Sequence, residues 1–571
     1  MNKSVDLVFL WHMHQPDYRD YSSGDFLLPW VYLHAIKDYS DMAYHLEQHP
    51  QMKVVVNFVP VLLDQLEDYQ QQFDTGNIRD PLLRLLAREN LNDASDAERD
   101  LIIDSCFRSD HNKMVAPYPF YKRLSDLFKL VEPGGAVAIS YLSGQYLADL
   151  LTWYHLAWCG ESVRREHDLV ISLMSKDENF TYEDRKALFD LIGSTISSII
   201  PRYRKLAESG QIELSTTPHY HPLAPLLLDI HSARESQPDS SLPQSQSYPG
   251  GRARVQSQLQ EAMESHHSRF GVRPQGVWPA EGAVSTDLIA LLAEQGCRWA
   301  ASGETVLVNS LNHNDLPVTG HKQYLYRPYR LQGAANPVHC FFRDDRLADM
   351  IGFEYSSWNG QDAALHFVEQ LEAISAYTGD GETPLVSVIL DGENAWEYYP
   401  YNGYHFLNDL YTALEAHPKI NTTTYSDYLD LLEAEGDHGL VKEGELPGLV
   451  AGSWVYGTFS TWIGEPDKNH AWDLLCAAKQ KYDMVMAAGR LSEEEKQAAE
   501  KQLSSCESSD WFWWFGDYNP SHAVASFDRL YRHNLMHLYQ LLKLEIPDNL
   551  NIPISQGGGA MEAGGTMRRG S

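Results

Sequence analysis

The sequence predicts an α/β protein: a parallel barrel of seven strands, carrying a helical insertion and followed by a helical C-terminal part. Seven short apolar runs between Val5 and Glu393 have the composition of strands buried on both faces. Several are followed by helical patterns, and strands alternating with helices build parallel sheets. Length agrees, because 571 residues exceed one ordinary domain of about 150 residues and allow a large barrel with additions.

The first run, "VDLVFL", continues into "WHMHQPDYRD". Residues two apart on a strand share a face, so His12 and His14 project the same way from its end. The second, "KVVVNFVP", leads into the helical pattern "VLLDQLEDYQQQF". From about residue 80 to 210 the pattern is mostly helical and far longer than a normal crossover, which reads as an insertion. The third, "QIELSTTP", is followed by the polar, turn-rich "HSARESQPDSSLPQSQSYPGG", expected to be a loop. The fourth, "GVWPA", precedes "STDLIALLAEQG", a helix with a Ser cap and a closing Gly. "CRWAASG", "VHCFFR" and "SVILDGE" complete the seven. Residues 1–403 are therefore assigned to the barrel with its insertion. Residues 404–550, with "FLNDLYTALEAH", "HAWDLLCAAKQKYDMVMAAG" and "ASFDRLYRHNLMHLYQLLKL", form the helical part, and the Gly-rich stretch 551–571 is expected to be disordered.

Composition narrows the function. The balance of 45 Lys plus Arg against 78 Asp plus Glu leaves a net charge of −33, which repels phosphate backbones and anionic lipid surfaces. Nucleic acid and membrane are thus not expected as partners. The 14 Trp and 32 Tyr offer flat apolar faces with polar handles, suited to sugar rings, although most such residues fill cores. The six cysteines are scattered singly, without zinc-site spacing, and read as reduced thiols. No signal peptide or membrane span is recognisable, so a cytoplasmic protein is expected.

Chemistry in α/β barrels collects where the strands end. The residues closing the runs are His12 and His14; Glu213 with His219, His221 and Pro222; Trp278 and Glu281; and Asp391, Glu393 and Trp396. Each carboxylate alone could be a helix cap or a surface charge. Together, beside histidines and tryptophans, they describe a carboxylate-rich, aromatic-rich rim in which Glu281 and Asp391 are the candidates for a working pair.

The pattern resembles glycoside hydrolase family 57, the α-amylase and amylopullulanase group. "HMHQP", "GQIELSTTPHYHPLAPLL", "GVWPAEGAVS", "ILDGENAWEYYPYNG" and "GSWVYGTFSTWIGEPDKNHAW" are similar to its five motifs, in order. "FFRDDRLADMIGFEYSSW" and "SDWFWWFGDYNP" look like stretches of its amylopullulanase-type members. The resemblance implies a distorted seven-stranded barrel followed by a helical domain that completes the cleft, with Glu281 as catalytic nucleophile and Asp391 as general acid/base. It further implies that His14 and Glu213 hydrogen-bond the sugar at the cleavage point. Trp278, Trp396 and the region from Trp454 through Trp462 to Trp472 would line the glucan path. His12 is expected to orient or pack beside His14, and His221 to join the substrate-binding set. The partner implied is an α-glucan polysaccharide or maltooligosaccharide, with no cofactor and no metal.

Such a pair works because retaining glycosidases hold two carboxyl groups about 5 to 5.5 Å apart, one attacking the anomeric carbon and the other protonating the leaving oxygen. An ionised Glu281 would favour a protonated Asp391. Three readings stand at this point. The first is a retaining α-glucan hydrolase, with 4-α-glucanotransferase or branching enzyme as variants sharing its intermediate. The second is a zinc enzyme such as an α-mannosidase or polysaccharide deacetylase, using His12, His14 and an Asp. The third is a glucan-binding protein with a degenerate site. "HMHQP" lacks an Asp beside its histidines, and the zinc reading leaves Glu281 unemployed.

Overall fold

The structure, a computed structural model, describes residues 4–318, 320, 322–332, 337–377, 382–435 and 440–559. All seven apolar runs form barrel strands. They are β1 (Val5–Met13), β2 (Val54–Phe58), β3 (Ile212–Thr216), β4 (Gly276–Val277), β5 (Trp299–Gly303), β7 (His339–Arg343) and β8 (Leu385–Asp391). Every neighbouring pair is parallel, in the order β8, β1, β2, β3, β4, β5, β7, and the β7–β8 pairing at Arg343 and Ser387 closes the ring. The apolar runs settle in the middle because a parallel strand here is covered on both faces; β1 is buried at every position. A Cβ on Gly276 of β4 would lie 1.9 Å from the Trp299 ring of β5, so only glycine leaves room for that indole.

Three short strands were not legible. β6 (Tyr329–Leu331) pairs antiparallel with β7, β9 (Ile420–Thr422) pairs with the start of β1, and β10 (Gly444–Leu446) extends β6. With three residues each, they give no periodicity to detect. Sheet pairing therefore continues past Gly403, where the sequence suggested that only helices follow.

Between β2 and β3 the chain forms helices joined by short turns and loops. Asp96–Cys106 and Tyr182–Glu208 each begin with a capping box, from Ser95 with Glu98 and from Thr181 with Asp184. Gly144–Trp158 is buried at every position except Gln145. The C-terminal helices Pro466–Ala488, Glu493–Cys506, Ser509–Trp514 and Ser521–Leu541 are tied back to the barrel by a buried charge. Glu507 accepts from Arg254 at 2.8 Å and from the Tyr248 hydroxyl at 2.6 Å. Lys468, also buried, donates to the carbonyls of Thr461, Phe512 and Phe515 and so holds the loops around these helices.

The expectation of a disordered stretch from residue 551 needs correction. Ile554 N–H donates to Asp528, Ser555 accepts from Gly516 N–H, and Gly558 and Gly559 both donate to the Asn519 carbonyl. Satisfied backbone groups fix this segment despite its glycines; residues 560–571 lie outside those described. All six cysteines are buried free thiols. Among the described residues, no helix is long and apolar enough to cross a membrane.

Candidate active site

A cavity of about 380 Å³ opens at the C-terminal ends of the strands, and both Glu281 and Asp391 line it. They reach it from well-separated strands of the ring. Asp391 is the last residue of β8, in register with His12 on β1. Glu281 lies in the turn after β4, with backbone angles φ 60°, ψ 23°. That left-handed conformation costs a non-glycine residue about 1–2 kcal/mol and persists only where the surroundings enforce it. Here they do: Trp454 N–H donates to the Glu281 carbonyl at 3.2 Å, and the Ser302 hydroxyl donates to the next carbonyl, Gly282, at 2.6 Å. His221, also on the wall, has φ 58°.

The Glu281 carboxylate accepts from the Ser509 hydroxyl at 3.2 Å and from Trp454 Nε1 at 3.4 Å. Since Ser509 donates to Glu281, it accepts from His221 Nδ1, 2.9 Å away. A relay thus runs from β3's loop through a C-terminal helix to the candidate nucleophile. Burial pushes the Glu281 carboxyl up to about 8, and the negative charges of Asp510 and Asp391 add to the rise. Asp391 is also raised by burial, opposed by a 2.9 Å bond from Asn394 and by the positive fields of His14 and Arg343. Both carboxyls are thus raised, whereas the sequence suggested an ionised Glu281 beside a protonated Asp391. Positive charge developing on a bound sugar would favour the ionised form of Glu281.

The histidines form a stack. The ring of His221 lies 3.9 Å from that of His14 and 5.2 Å from that of His12, nearly parallel to both. His12 Nδ1 donates to Asn57 Oδ1 at 2.7 Å, which fixes its tautomer, and Asn57 donates in turn to Ser215. Burial and the neighbouring His14 lower His12 to about 3, and burial also lowers His221 well below the ordinary range. His14 Nε2 donates to Asp510, 3.0 Å from each carboxylate oxygen. Among the described residues, His14, His221 and Asp510 are the group whose donor atoms come close enough, within 4.8 Å, to share a cation. Within that group His14 bonds Asp510, and His221 Nδ1 bonds Ser509 outside it. His12, which the zinc reading required, faces Asn57.

Several expected residues lie elsewhere. Glu213 is the second residue of β3, at the N-terminal end of the barrel. Its oxygens are taken up by Trp299 Nε1 at 2.7 Å and by the Ser426 hydroxyl and N–H. It is off the cavity wall and braces the barrel floor. Of the tryptophans, Trp454 lines the cavity, but Trp278, Trp396, Trp462 and Trp472 are fully buried behind it. Trp278 packs edge-on against Trp454, Trp396 donates to the Gly392 carbonyl, and Trp472 stacks on Phe512 while donating to the Trp462 carbonyl. Apolar rings following buried strands find core before they find solvent. Beside Trp454, the wall is supplied by Trp30, Trp158, Trp513 and Trp514. His219 bonds Asp64, away from the site.

Sequence reasoning also missed Ser509, Asp510 and Arg343. The "SDWFWW" stretch was noticed as a resemblance, but nothing local shows that its Ser–Asp reaches into a barrel formed far earlier in the chain. Arg343 ends β7, pairs with Asp345 at 2.6 Å, and lays its guanidinium over Trp454 at 4.8 Å.

A half-buried carboxyl pair at the mouth of a closed parallel barrel, flanked by histidines and aromatic walls, defines an enzyme of the glycoside hydrolase type. The chain matches the family model described as glycosyl hydrolase family 57 over residues 8–440, and it belongs to that family. Among solved structures it is similar to a branching enzyme of Thermococcus kodakaraensis (17% identity, TM-score 0.57, 97% of this chain and 94% of that one). It is also similar to a branching enzyme of Pyrococcus horikoshii (16%, 0.55, 100% of each) and to the α-amylase AmyC of Thermotoga maritima (14%, 0.54, 96% and 95%). At such identities the likeness speaks to the fold. No curated protein matched.

The raised Glu281 has a consequence for stability. The folded state holds this proton to about pH 8 while the unfolded chain releases it near the ordinary 4.5, so folding stability falls as pH rises through that window. Glu281→Gln removes the penalty. We expect it to melt higher than wild type above pH 8, by about 2–4 kcal/mol of stability, with the gap closing toward pH 5. Thermal melts across pH check this, and a pH-independent gap would refute it.

Proposed function

We propose that the protein is a retaining α-glucan hydrolase of the α-amylase and amylopullulanase type, cleaving α-1,4 glucosidic bonds, with α-1,6 bonds the second linkage to test. Glu281 attacks the anomeric carbon and forms a covalent glycosyl-enzyme; Asp391 protonates the leaving oxygen and then, as base, activates water. The observation that carries this reading is the shared cavity, lined by two half-buried carboxyls from different strands, with the charge of Asp391 adding to the rise of Glu281. His14, His221 and Asp510 would bind sugar hydroxyls, Trp454 would pack against the ring, and the C-terminal helices would complete the cleft.

A second reading shares the intermediate. If a sugar hydroxyl reaches it before water, the same residues perform transfer, as in a 4-α-glucanotransferase or branching enzyme. Aromatic residues from both ends of the chain, Trp30 with Trp513 and Trp514, line the cavity and favour holding a second glucan there.

Product analysis on maltooligosaccharides, amylose and pullulan tests both readings. Hydrolysis releases new reducing ends, whereas transfer redistributes chain lengths or creates branch points without them. We expect new reducing ends, with activity unaffected by chelators. No change in any α-glucan would refute the proposal, and chelator-sensitive activity restored by zinc would favour a metal-dependent enzyme built on His14, His221 and Asp510.

A further inference from the structure

The cavity that holds Glu281 and Asp391 is also lined by polar side chains with no part in the chemistry above: His34, Arg108, Glu397 and Tyr398, beside the Trp30 ring. They arrive from three places. Trp30–His34 is a short helix after β1, Arg108 lies in the insertion just past the helix Asp96–Cys106, and Glu397 and Tyr398 sit on the turn Trp396–Tyr398, a few residues beyond Asp391. Trp30, His34, Glu397 and Tyr398 are half-buried and Arg108 is exposed, so each presents surface to a ligand.

The polar groups are fixed from behind and open in front. His34 Nδ1 donates to Asp38 Oδ2 at 2.7 Å, which leaves Nε2 of the neutral ring as an acceptor. Asp38 is itself buried, and Lys37 donates to its other oxygen at 2.6 Å and to Asn402 at 3.0 Å, so the pair that orients the imidazole is satisfied. Nε2 has no hydrogen-bond partner among the described residues, and it is not sealed from solvent. The Arg108 guanidinium makes no hydrogen bond or ion pair among the described residues, although the Glu397 carboxylate lines the same cavity. Burial raises the Glu397 carboxyl, opposed by Lys37, the Tyr398 hydroxyl and His34. A cation and a carboxylate that share a cavity without pairing leave room for a neutral ligand to bridge them.

A pyranose has the matching chemistry. Its hydroxyls both give and take hydrogen bonds, and here one donor, Arg108, meets two acceptors, His34 Nε2 and Glu397. Its apolar ring face suits an aromatic side chain, supplied by Trp30, whose ring lies 5.8 Å from that of Trp158 behind it. We infer that this end of the cavity is a distal glucan subsite: Arg108, His34 and Glu397 bond the hydroxyls of a glucose unit beyond the bond being cleaved, Trp30 packs on its ring, and long chains are favoured over short ones. The inference rests on the reading of this cavity as a glycosidic site. It gives the helical insertion a part in chain-length preference, through Arg108.

The test compares Arg108→Ala and Glu397→Gln with wild type on maltoheptaose, which is long enough to reach the subsite, and on an α-glucosyl fluoride, which is not. The ratio of kcat/KM on maltoheptaose to kcat/KM on the fluoride is expected to fall about 10-fold in each variant, the loss of one hydrogen bond to a charged group. Arg108 is exposed, so its replacement should leave folding intact and keeps the test open if Glu397→Gln does not fold. Binding can be read without turnover: in a Glu281→Ala background, the calorimetric affinity for maltoheptaose should fall about 10-fold when Arg108→Ala is added. An unchanged ratio, an unchanged affinity, or equal loss on both substrates would overturn the inference while leaving the glycosidic reading intact. A wild type that consumes neither substrate would strike down that reading, and this inference with it.

Discussion

Glu281→Ala is expected to abolish turnover of every α-glucan, with kcat falling on the order of 10⁴- to 10⁶-fold, the loss typical when a covalent nucleophile is removed. The reason is positional. The Glu281 side chain is aimed into the cavity by a left-handed turn that Trp454 and Ser302 hold from outside, and its nearest described carboxyl neighbours, Asp391 and Asp510, remain on their own walls. Without the carboxylate no glycosyl-enzyme forms with any leaving group, so activated substrates offer no escape. Added azide, small enough for the vacated space, should restore slow turnover with inverted stereochemistry. Steady-state rates on maltooligosaccharides and on an α-glucosyl fluoride, with the anomeric configuration of any azide product, check this. Residual activity above about one per cent on the fluoride would remove Glu281 from the nucleophile's role.

Asp391→Ala should fail differently. Loss of the proton donor slows cleavage of a polysaccharide by about 10²- to 10⁴-fold, because a sugar leaves poorly without protonation. Fluoride needs little help, so the glycosyl-enzyme should still form and then persist, since no base activates water. The ratio of activity on the fluoride's first step to activity on a maltooligosaccharide should therefore rise steeply relative to wild type. A merely supporting carboxylate would depress both substrates equally, and that outcome would refute the assignment.

The seven barrel strands were legible because each is an apolar run long enough to be seen, and because buried parallel strands need no alternation. β6, β9 and β10 were not, since pairing of three residues leaves no trace in composition. Within the site, Glu281, Asp391, His14 and His221 could be found from their places at strand ends. Ser509 and Asp510 could not, because they arrive at the cavity from a helix more than two hundred residues after Glu281, and proximity in the fold has no local signature. Glu213 misled for the opposite reason. A carboxylate inside an apolar strand looks functional, but its place near the start of β3 puts it on the barrel floor beside Trp299 and Ser426. Trp278 and Trp396 misled in the same way, as rings near the rim that turned inward.

The electrostatics of the site were the least legible feature. Glu281, Asp391, Glu393 and Asp510 come from three separate parts of the chain; burial raises the first three, and neighbouring carboxylates add to the rise at Glu281 and Glu393. The pH dependence of kcat/KM is therefore a property of the cluster rather than of one residue.

The division of labour between Glu281 and Asp391 is tested most directly by trapping the intermediate. Asp391→Ala incubated with an α-glucosyl fluoride should gain the mass of one glucosyl unit in intact-protein measurement, and peptide mapping should locate it on the segment containing Glu281. The Glu281→Ala variant should gain nothing. An adduct on the Glu281 variant, an adduct mapped to Asp510 or Glu393, or no adduct on the Asp391 variant while wild type consumes the fluoride, would contradict the assignment.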